Sequence, residues 1–158
     1  MEVVLRPAAA GDALRIAEVL LSSRKTFQPY APPVHTDAEV REWVRDMLMP
    51  AGGVTVACVN ADIAAMMATS RAADAGWIEQ LFVVPGATGQ GIGALLLDHA
   101  LATLPRPVRL YTFQANSGAR RFYERRGFRA IAFGDGSGNE EHCPDVLYEL
   151  AGPDRERA

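Results

Sequence analysis

Residues 81–97 read LFVVPGATGQGIGALLL, a strand-forming run that is followed by a glycine-rich loop and then by an apolar run. The pattern predicts that a strand enters a tight turn and that the turn enters a helix. Glycines at 89, 91 and 93 lack the Cβ atoms that would hold a ligand away from the backbone. The first turn of a helix has free N–H groups and the positive end of the helix dipole. This stretch therefore predicts a site for a phosphate or diphosphate.

Other interpretations of this turn stay open when the turn is taken alone. A glycine-rich connector can serve only to bring a strand and a helix close together. A dinucleotide-binding fold spaces its glycines as G-x-G-x-x-G in an early strand–helix unit, whereas the spacing here is G-x-G-x-G in mid-chain. A P-loop requires Gly-Lys-Ser/Thr, which does not occur here.

The rest of the chain predicts a single α/β domain over residues 1–152, with a frayed tail at 153–158. Helices are expected at 12–27, at 36–49, after the glycine turn to about residue 104, and at 116–127. Strands are expected at 3–5, 54–59, 63–70, 77–84, 107–113, 128–133 and 146–150, although 64–67 also fits a helix. The order β-α-α-β-β-β-α-β-α-β-β predicts a mixed sheet with helices on both faces.

The composition is that of an ordinary globular protein, with 158 residues, 49% hydrophobic residues, 22% charged residues and a formal net charge of −3. The absence of a basic surplus argues against a general nucleic-acid binder. The start of the chain lacks the pattern of a signal peptide, and the apolar runs are too short to span a bilayer, so we expect a cytoplasmic protein without membrane association. Cys58 and Cys143 form neither a disulfide framework nor a CxxC zinc motif and are expected to be reduced thiols.

A second informative run, NSGARRFYERRGF, occupies residues 116–128. Asn116 is a suitable N-cap, and Gly127 stands where a helix commonly ends. Asn116 and Tyr123 are seven residues apart, which is two helical turns, so both lie on one face of the helix. By itself this run allows Tyr123 to be a core aromatic residue with a satisfied hydroxyl.

Together the two runs resemble the signatures of the GNAT superfamily of acetyltransferases, Arg/Gln-x-x-Gly-x-Gly/Ala and Asn-x-x-Ala-x-x-Phe-Tyr-x-x-x-Gly-Phe. The resemblance implies a mostly antiparallel mixed sheet of about six to seven strands with helices on both faces. It also implies that a splayed parallel pair, at about 77–84 and 107–113, forms a cleft for acyl-coenzyme A.

The resemblance implies acetyl-coenzyme A (acetyl-CoA) as the co-substrate and no metal. Its pantetheine arm is expected along the strand and its diphosphate on the amides of the turn, with contacts from Leu81, Phe82, Val83, Thr88, Gly89, Gln90, Gly91, Ile92, Gly93, Ala94, Asn116 and Tyr123. Thr88 departs from the family pattern, which has Arg or Gln at this position. Its hydroxyl can still donate to a phosphate, but more of the binding then depends on backbone amides.

The implied reaction is direct attack of an amine on the thioester, without an acyl-enzyme. Tyr123 is expected to protonate the leaving thiolate, and the Val83 amide to stabilise the oxyanion. Glu79 is our candidate base because strand alternation places it on the face of Leu81 and Val83. A surface carboxylate or an ion-pair partner is an equally good interpretation of Glu79.

The acceptor, a primary amine of a small molecule or protein, is expected to bind between two loops, one after the first helix and one before the last strand. Candidate contacts are Phe27, Tyr30, His35, Glu140 and Glu141. Residues 135–139 also imitate the start of a calcium loop, but Val146 occupies the position of the closing glutamate. A non-catalytic acyl-CoA sensor on the same fold is the alternative function, and a homodimer is the base-rate expectation.

Overall fold

The computed structural model describes residues 2–27 and 33–152, apart from the side chains of residues 26 and 27. Its strands form a seven-stranded sheet in the order β1-β2-β3-β4-β5-β7-β6. The strands are β1 (Val3–Pro7), β2 (Val54–Val59), β3 (Asp62–Arg71), β4 (Gly76–Val83), β5 (Val108–Phe113), β6 (Arg129–Gly134) and β7 (Asp145–Leu150). The helices are α1 (Ala13–Phe27), α2 (Asp37–Trp43), α3 (Ile92–Thr103) and α4 (Ser117–Arg125).

The element order and the mixed sheet confirm the prediction from sequence. Neighbouring strands are antiparallel except β4 and β5, which are parallel. Residues 64–67 lie within β3, so the helical alternative for them is wrong. The expected tail at 153–158 lies outside the described residues. Within the described ranges, no helix is long and apolar enough to cross a membrane.

The sheet separates two apolar cores. One lies against α1 and α2 and takes its sheet residues from β2, β3 and β4. The other lies against α3 and α4 and includes buried residues of β2, β3, β4, β5 and β7. This arrangement confirms the expected helices on both faces, and it leaves β5, β6 and β7 without α1 or α2 on one side.

Capping residues define the helix ends that sequence reasoning expected. Thr36 and Glu39 form a reciprocal capping box, with the Glu39 amide 3.1 Å from the Thr36 Oγ1 and the Thr36 amide 2.9 Å from the Glu39 Oε1. Gly127 follows α4 with a φ of +92°, a left-handed conformation that glycine adopts without strain. The second helix differs from the prediction because it continues through a π-helical turn (Val44–Leu48) and a final turn (Met49–Ala51).

The expected splayed pair is formed by β4 and β5. Their parallel pairing is limited to Gly76 with Val108 and Trp77 with Arg109. Beyond Trp77 the two strands diverge, so β4 keeps its pairing with β3 on one side and has a free edge on the other. This free edge, together with the loop that follows it, positions the site.

Candidate functional site

The free edge of β4 presents backbone groups to the space between β4 and β5. The Val84 amide donates to the Ala64 carbonyl of β3 at 2.9 Å. Because successive residues of an antiparallel strand direct their amides to opposite edges, the Val83 and Leu81 amides point away from β3. An extended ligand can add to such an edge as if it were another strand.

The glycine loop continues from this edge to the start of α3. Gly89 and Gly91 have φ values of +77° and +81°, and a Cβ built at either position would have no heavy atom within 4 Å. In the part of the chain that the structure describes, the amides of residues 89–94 donate to no protein acceptor. The loop therefore offers backbone donors at a helix N-terminus with open space in front of them, which fits a diphosphate.

Gly93 has a different role from the two glycines before it. A Cβ at this position would lie 3.7 Å from the Phe122 ring and 3.8 Å from the Val83 side chain, which are ordinary packing distances. Close packing of strand and helix, the alternative explanation of the glycine-rich turn, therefore applies at Gly93. It does not apply at Gly89 or Gly91.

Thr88 does not present its hydroxyl to the loop opening. The hydroxyl donates to the Pro85 carbonyl at 2.9 Å, and a hydroxyl has a single proton to donate. The geometry thus argues against the expectation that Thr88 donates to a phosphate. The residue instead stabilises the short turn at Pro85–Ala87.

Asn116 lies at the N-cap of the helix α4 and Tyr123 lies within it, as expected. The Asn116 Oδ1 caps α4 by accepting from the Ala119 amide at 3.1 Å. Tyr123 is 8% exposed and belongs to the core cluster against which Leu81 and Val83 pack. Burial raises the pKa of the Tyr123 phenol, so the hydroxyl stays protonated at neutral pH and can act as a proton donor.

Tyr123 is held by ring contacts. Its ring meets Phe122 and Phe128 edge-on, at centroid distances of 5.1 and 5.7 Å. In the described structure the hydroxyl makes no hydrogen bond to protein, yet every fully buried side-chain oxygen there has a partner. The Tyr123 hydroxyl is therefore not sealed in the core.

Sequence reasoning missed Ser23 in α1. This serine is 5% exposed, and its hydroxyl donates to the Val83 carbonyl at 2.9 Å. The contact ties α1 to the free end of β4, beside the Val83 amide. A single serine within the apolar face of a helix gives no signal in sequence, because its partner is 60 residues away.

Glu79 lies in a β-bulge that the sequence did not reveal. Ala68 pairs with Gln80 and Thr69 pairs with Ile78, so the backbone of Glu79 is skipped in the register with β3. The expectation that Glu79 shares a face with Leu81 and Val83 is wrong, because the extra residue shifts the alternation and Ile78 joins that face instead. The exposed Glu79 carboxylate accepts from the Ser70 hydroxyl at 2.7 Å.

The two loops expected to bind the acceptor do meet. The His35 Nε2 lies 2.9 Å from the Glu140 Oε2, and Arg24 donates to the His35 carbonyl at 3.1 Å. The hydrogen bond to Glu140, with a further contribution from Glu39, raises the pKa of His35. Glu141 lines a cavity beside these loops. The Phe27 side chain and Tyr30 lie outside the described residues.

Taken together, an open strand edge that leads to glycine-lined amides at a helix N-terminus has the geometry that suits an extended, phosphate-bearing ligand. The family model of the acetyltransferase (GNAT) family matches residues 20–128. The chain therefore belongs to the GNAT family of acetyltransferases. The resemblance noted from the two sequence signatures is thereby confirmed.

Comparison with known proteins agrees with this assignment. Over 94 residues the chain is 36% identical to the peptidyl-lysine N-acetyltransferase YjaB of Salmonella typhimurium, a match that covers 58% of this chain and 60% of that relative's length. The solution structure of apo-form YjaB from Escherichia coli has a TM-score of 0.76 at 19% identity and covers 97% of this chain and 100% of that chain. The crystal structure of PaiA N-acetyltransferase from Thermoplasma acidophilum in complex with coenzyme A has a TM-score of 0.72 at 18% identity. It covers 96% of this chain and 100% of that chain. At these identities the two structures show the fold.

Proposed function

We propose that the protein is an N-acetyltransferase that moves an acetyl group from acetyl-CoA to a primary amine of a small molecule or a protein. The observation that carries this proposal is the free edge of β4 beside the unpaired amides at the start of α3. Family membership supports it, as do the relative named as a peptidyl-lysine N-acetyltransferase and the coenzyme A complex of a protein with the same fold.

Donor binding is assigned to backbone groups. The amides of Leu81 and Val83 face the space where β5 has diverged, so they can pair with the amide groups of a pantetheine arm. The amides of residues 89–94 bind the diphosphate without a basic side chain, which is compatible with the net charge of −3. Asn116, held as the cap of α4, has its side-chain N–H groups available to the arm.

The acceptor amine must lose a proton before it can attack. A free alkylamine has a pKa of about 10.4, so a base is needed near neutral pH. We assign this role to Glu79, whose exposed carboxylate is held by the Ser70 hydroxyl and acts directly or through a water molecule. Because of the bulge, the Glu79 side chain points away from the face of Leu81 and Val83 and reaches the Ser70 hydroxyl.

The transfer forms an N–C bond and breaks the C–S bond of the thioester. The Val83 amide is oriented to stabilise the oxyanion that develops on the thioester oxygen. The leaving thiolate, whose thiol has an ordinary pKa of about 8.5, takes the Tyr123 proton. Neither cysteine is needed as a nucleophile, since Cys58 is buried in the core beside α1 and Cys143 lies in the loop between β6 and β7.

The proposal is tested by measuring release of free coenzyme A from acetyl-CoA across a panel of amines. We expect Tyr123→Phe and Glu79→Gln each to lower turnover by about 10²-fold, a usual effect of removing a general acid or base. Acetyl-CoA affinity, measured by calorimetry, should stay near the wild-type value. Tyr148→Phe is the matched control, because its hydroxyl is engaged with Glu124 and Arg120 of α4 rather than with the cleft.

Two results would contradict the proposal. Unchanged turnover in Tyr123→Phe would remove that residue from the mechanism. Tight acetyl-CoA binding with no acetylation of any amine would favour the non-catalytic acyl-CoA sensor instead.

A further inference from the structure

A cavity of about 610 Å³ lies on the sheet face that α1 and α2 leave uncovered. In β5 and β7, Leu110 and Tyr148 point into the core beside α3 and α4. The alternate residues Tyr111 and Leu147 therefore face the other side, where they line the cavity with the loop between β6 and β7. Tyr111 is 60% exposed, so a large aromatic face is available to a ligand.

The chemistry of the cavity wall is apolar and acidic. Its apolar surface comes from Tyr111, Phe113, Ala132 and Leu147. Its carboxylates are Asp135, Glu141 and Asp145, and the lining residues, drawn from the described part of the chain, include no arginine or lysine. The wall thus complements a ligand with an apolar body and a positive charge.

Hydrogen bonds hold two of these carboxylates in place. Asp135 accepts hydrogen bonds from the Ser137 side chain and backbone, and these contacts lower the pKa of Asp135. Asp145 accepts from the Asn139 side-chain amide at 3.2 Å. A nearby cation, Arg120, stacks over the Phe133 ring at 5.7 Å, but its guanidinium is bound to the Tyr148 hydroxyl and the Gln114 carbonyl.

The cavity adjoins the cleft between β4 and β5. The Trp77 and Tyr111 rings stack across these strands, with centroids 5.9 Å apart and an interplanar angle of 16°. Trp77 makes the last pair between β4 and β5, and Glu79 follows two residues later. A ligand lying on Tyr111 therefore borders the splayed part of the cleft, on the side where the Trp77 ring lies and two residues before the proposed base on β4.

We propose that this cavity holds the acceptor and selects a cationic primary amine that has an apolar or aromatic body and no carboxylate beside the amine. The inference rests on the proposed function, which leaves the acceptor class open. The same chemistry occurs in a free aralkylamine and in an aromatic residue at the N-terminus of a peptide.

The test measures binding rather than turnover. Calorimetry on the full chain saturated with coenzyme A compares tyramine with tyrosine, which have the same ring and differ by one carboxylate. We expect tyramine to bind at least about tenfold more tightly, as repulsion of about 1.4 kcal/mol from the acidic wall would give. The C-terminal amide of the tripeptide Tyr-Gly-Gly is titrated in the same way as tyramine. Whichever of the two ligands binds more tightly identifies the source of the acceptor as a peptide N-terminus or a free amine.

Two matched sets of variants locate the site. Tyr111→Ala should weaken tyramine binding about tenfold. Tyr111→Phe keeps the ring and should bind tyramine with the affinity of the wild type. The double variant Asp135→Asn, Glu141→Gln should reduce the preference for tyramine over tyrosine, whereas the remote Glu42→Gln should not. The Asp135→Asn change keeps an acceptor for the Ser137 amide.

Equal affinity for tyramine and tyrosine, or wild-type binding in Tyr111→Ala, would overturn the assignment of the cavity. Because no chemistry is needed for these measurements, that result is distinct from failure of the proposed acetyl transfer. Binding of the amines with no acetylation would leave the cavity assigned and contradict the enzyme function instead.

Discussion

Gly91 is the position at which the proposed diphosphate site can be tested most directly. A glutamate carboxylate at residue 91 would lie within about 6 Å of a diphosphate on the amides of residues 89–94. At that distance two unit charges repel by about 1.4 to 2.8 kcal/mol for effective dielectric constants of about 40 to 20. A diphosphate carries two charges, so Gly91→Glu should weaken acetyl-CoA binding by about 3 kcal/mol or more, at least about 100-fold in Kd.

Two control variants separate the charge from other effects. The side chain in Gly91→Gln has nearly the same size as the one in Gly91→Glu. Both variants place a Cβ at a φ of +81°, and this left-handed strain costs each of them about 1 to 2 kcal/mol of folding stability. The difference between the two variants therefore isolates the charge. Gly93→Ala should bind acetyl-CoA like the wild type, because its Cβ meets Phe122 and Val83 at ordinary contact distances.

The assay is calorimetric titration of each folded variant with acetyl-CoA at low and at high salt. The difference in the Kd for acetyl-CoA between Gly91→Glu and Gly91→Gln should become smaller as salt screens the repulsion. Equal affinity of the two variants at low salt would show that no phosphate lies in front of these amides, and the reasoning would fail.

Two further predictions concern contacts that only the structure reveals. Ser23→Ala should reduce turnover more than acetyl-CoA affinity and lower the free energy of unfolding by about 0.5 to 1.5 kcal/mol, since the partly buried Val83 carbonyl loses a donor. Kinetics and thermal unfolding measure the two effects, and Ser22→Ala is the control for a neighbouring serine. The contact of His35 with Glu140 should depend on pH: because it raises the pKa of His35, its stabilisation is fully present below the ordinary pKa of about 6.5 and is lost as pH rises through the raised value. The Tm difference between wild type and His35→Gln should therefore be larger at pH of about 5.5 than at about 9, and a difference that grows with pH would contradict the assignment.

Much of the fold follows from local patterns in the sequence. The capping box at Thr36 and Glu39, the Asn116 cap and Gly127 after α4 are all where local backbone chemistry requires them. The glycines at 89 and 91 adopt positive φ values that other residues avoid. These features depend on neighbours within a few residues, so the chain specifies them without reference to distant contacts.

The tertiary structure decided which of the candidate side chains work together. The bulge at Glu79 arises from pairing with β3 and changed the face that simple alternation predicts. Ser23 meets Val83, His35 meets Glu140 and Trp77 stacks on Tyr111 across separations of 34 to 105 residues. Such contacts depend on how strands and helices pack, which a single sequence does not encode in any local pattern. The glycine turn that we propose for the donor could therefore be identified from the chain, whereas the surroundings that we propose for the acceptor emerged only when the sheet brought distant loops together.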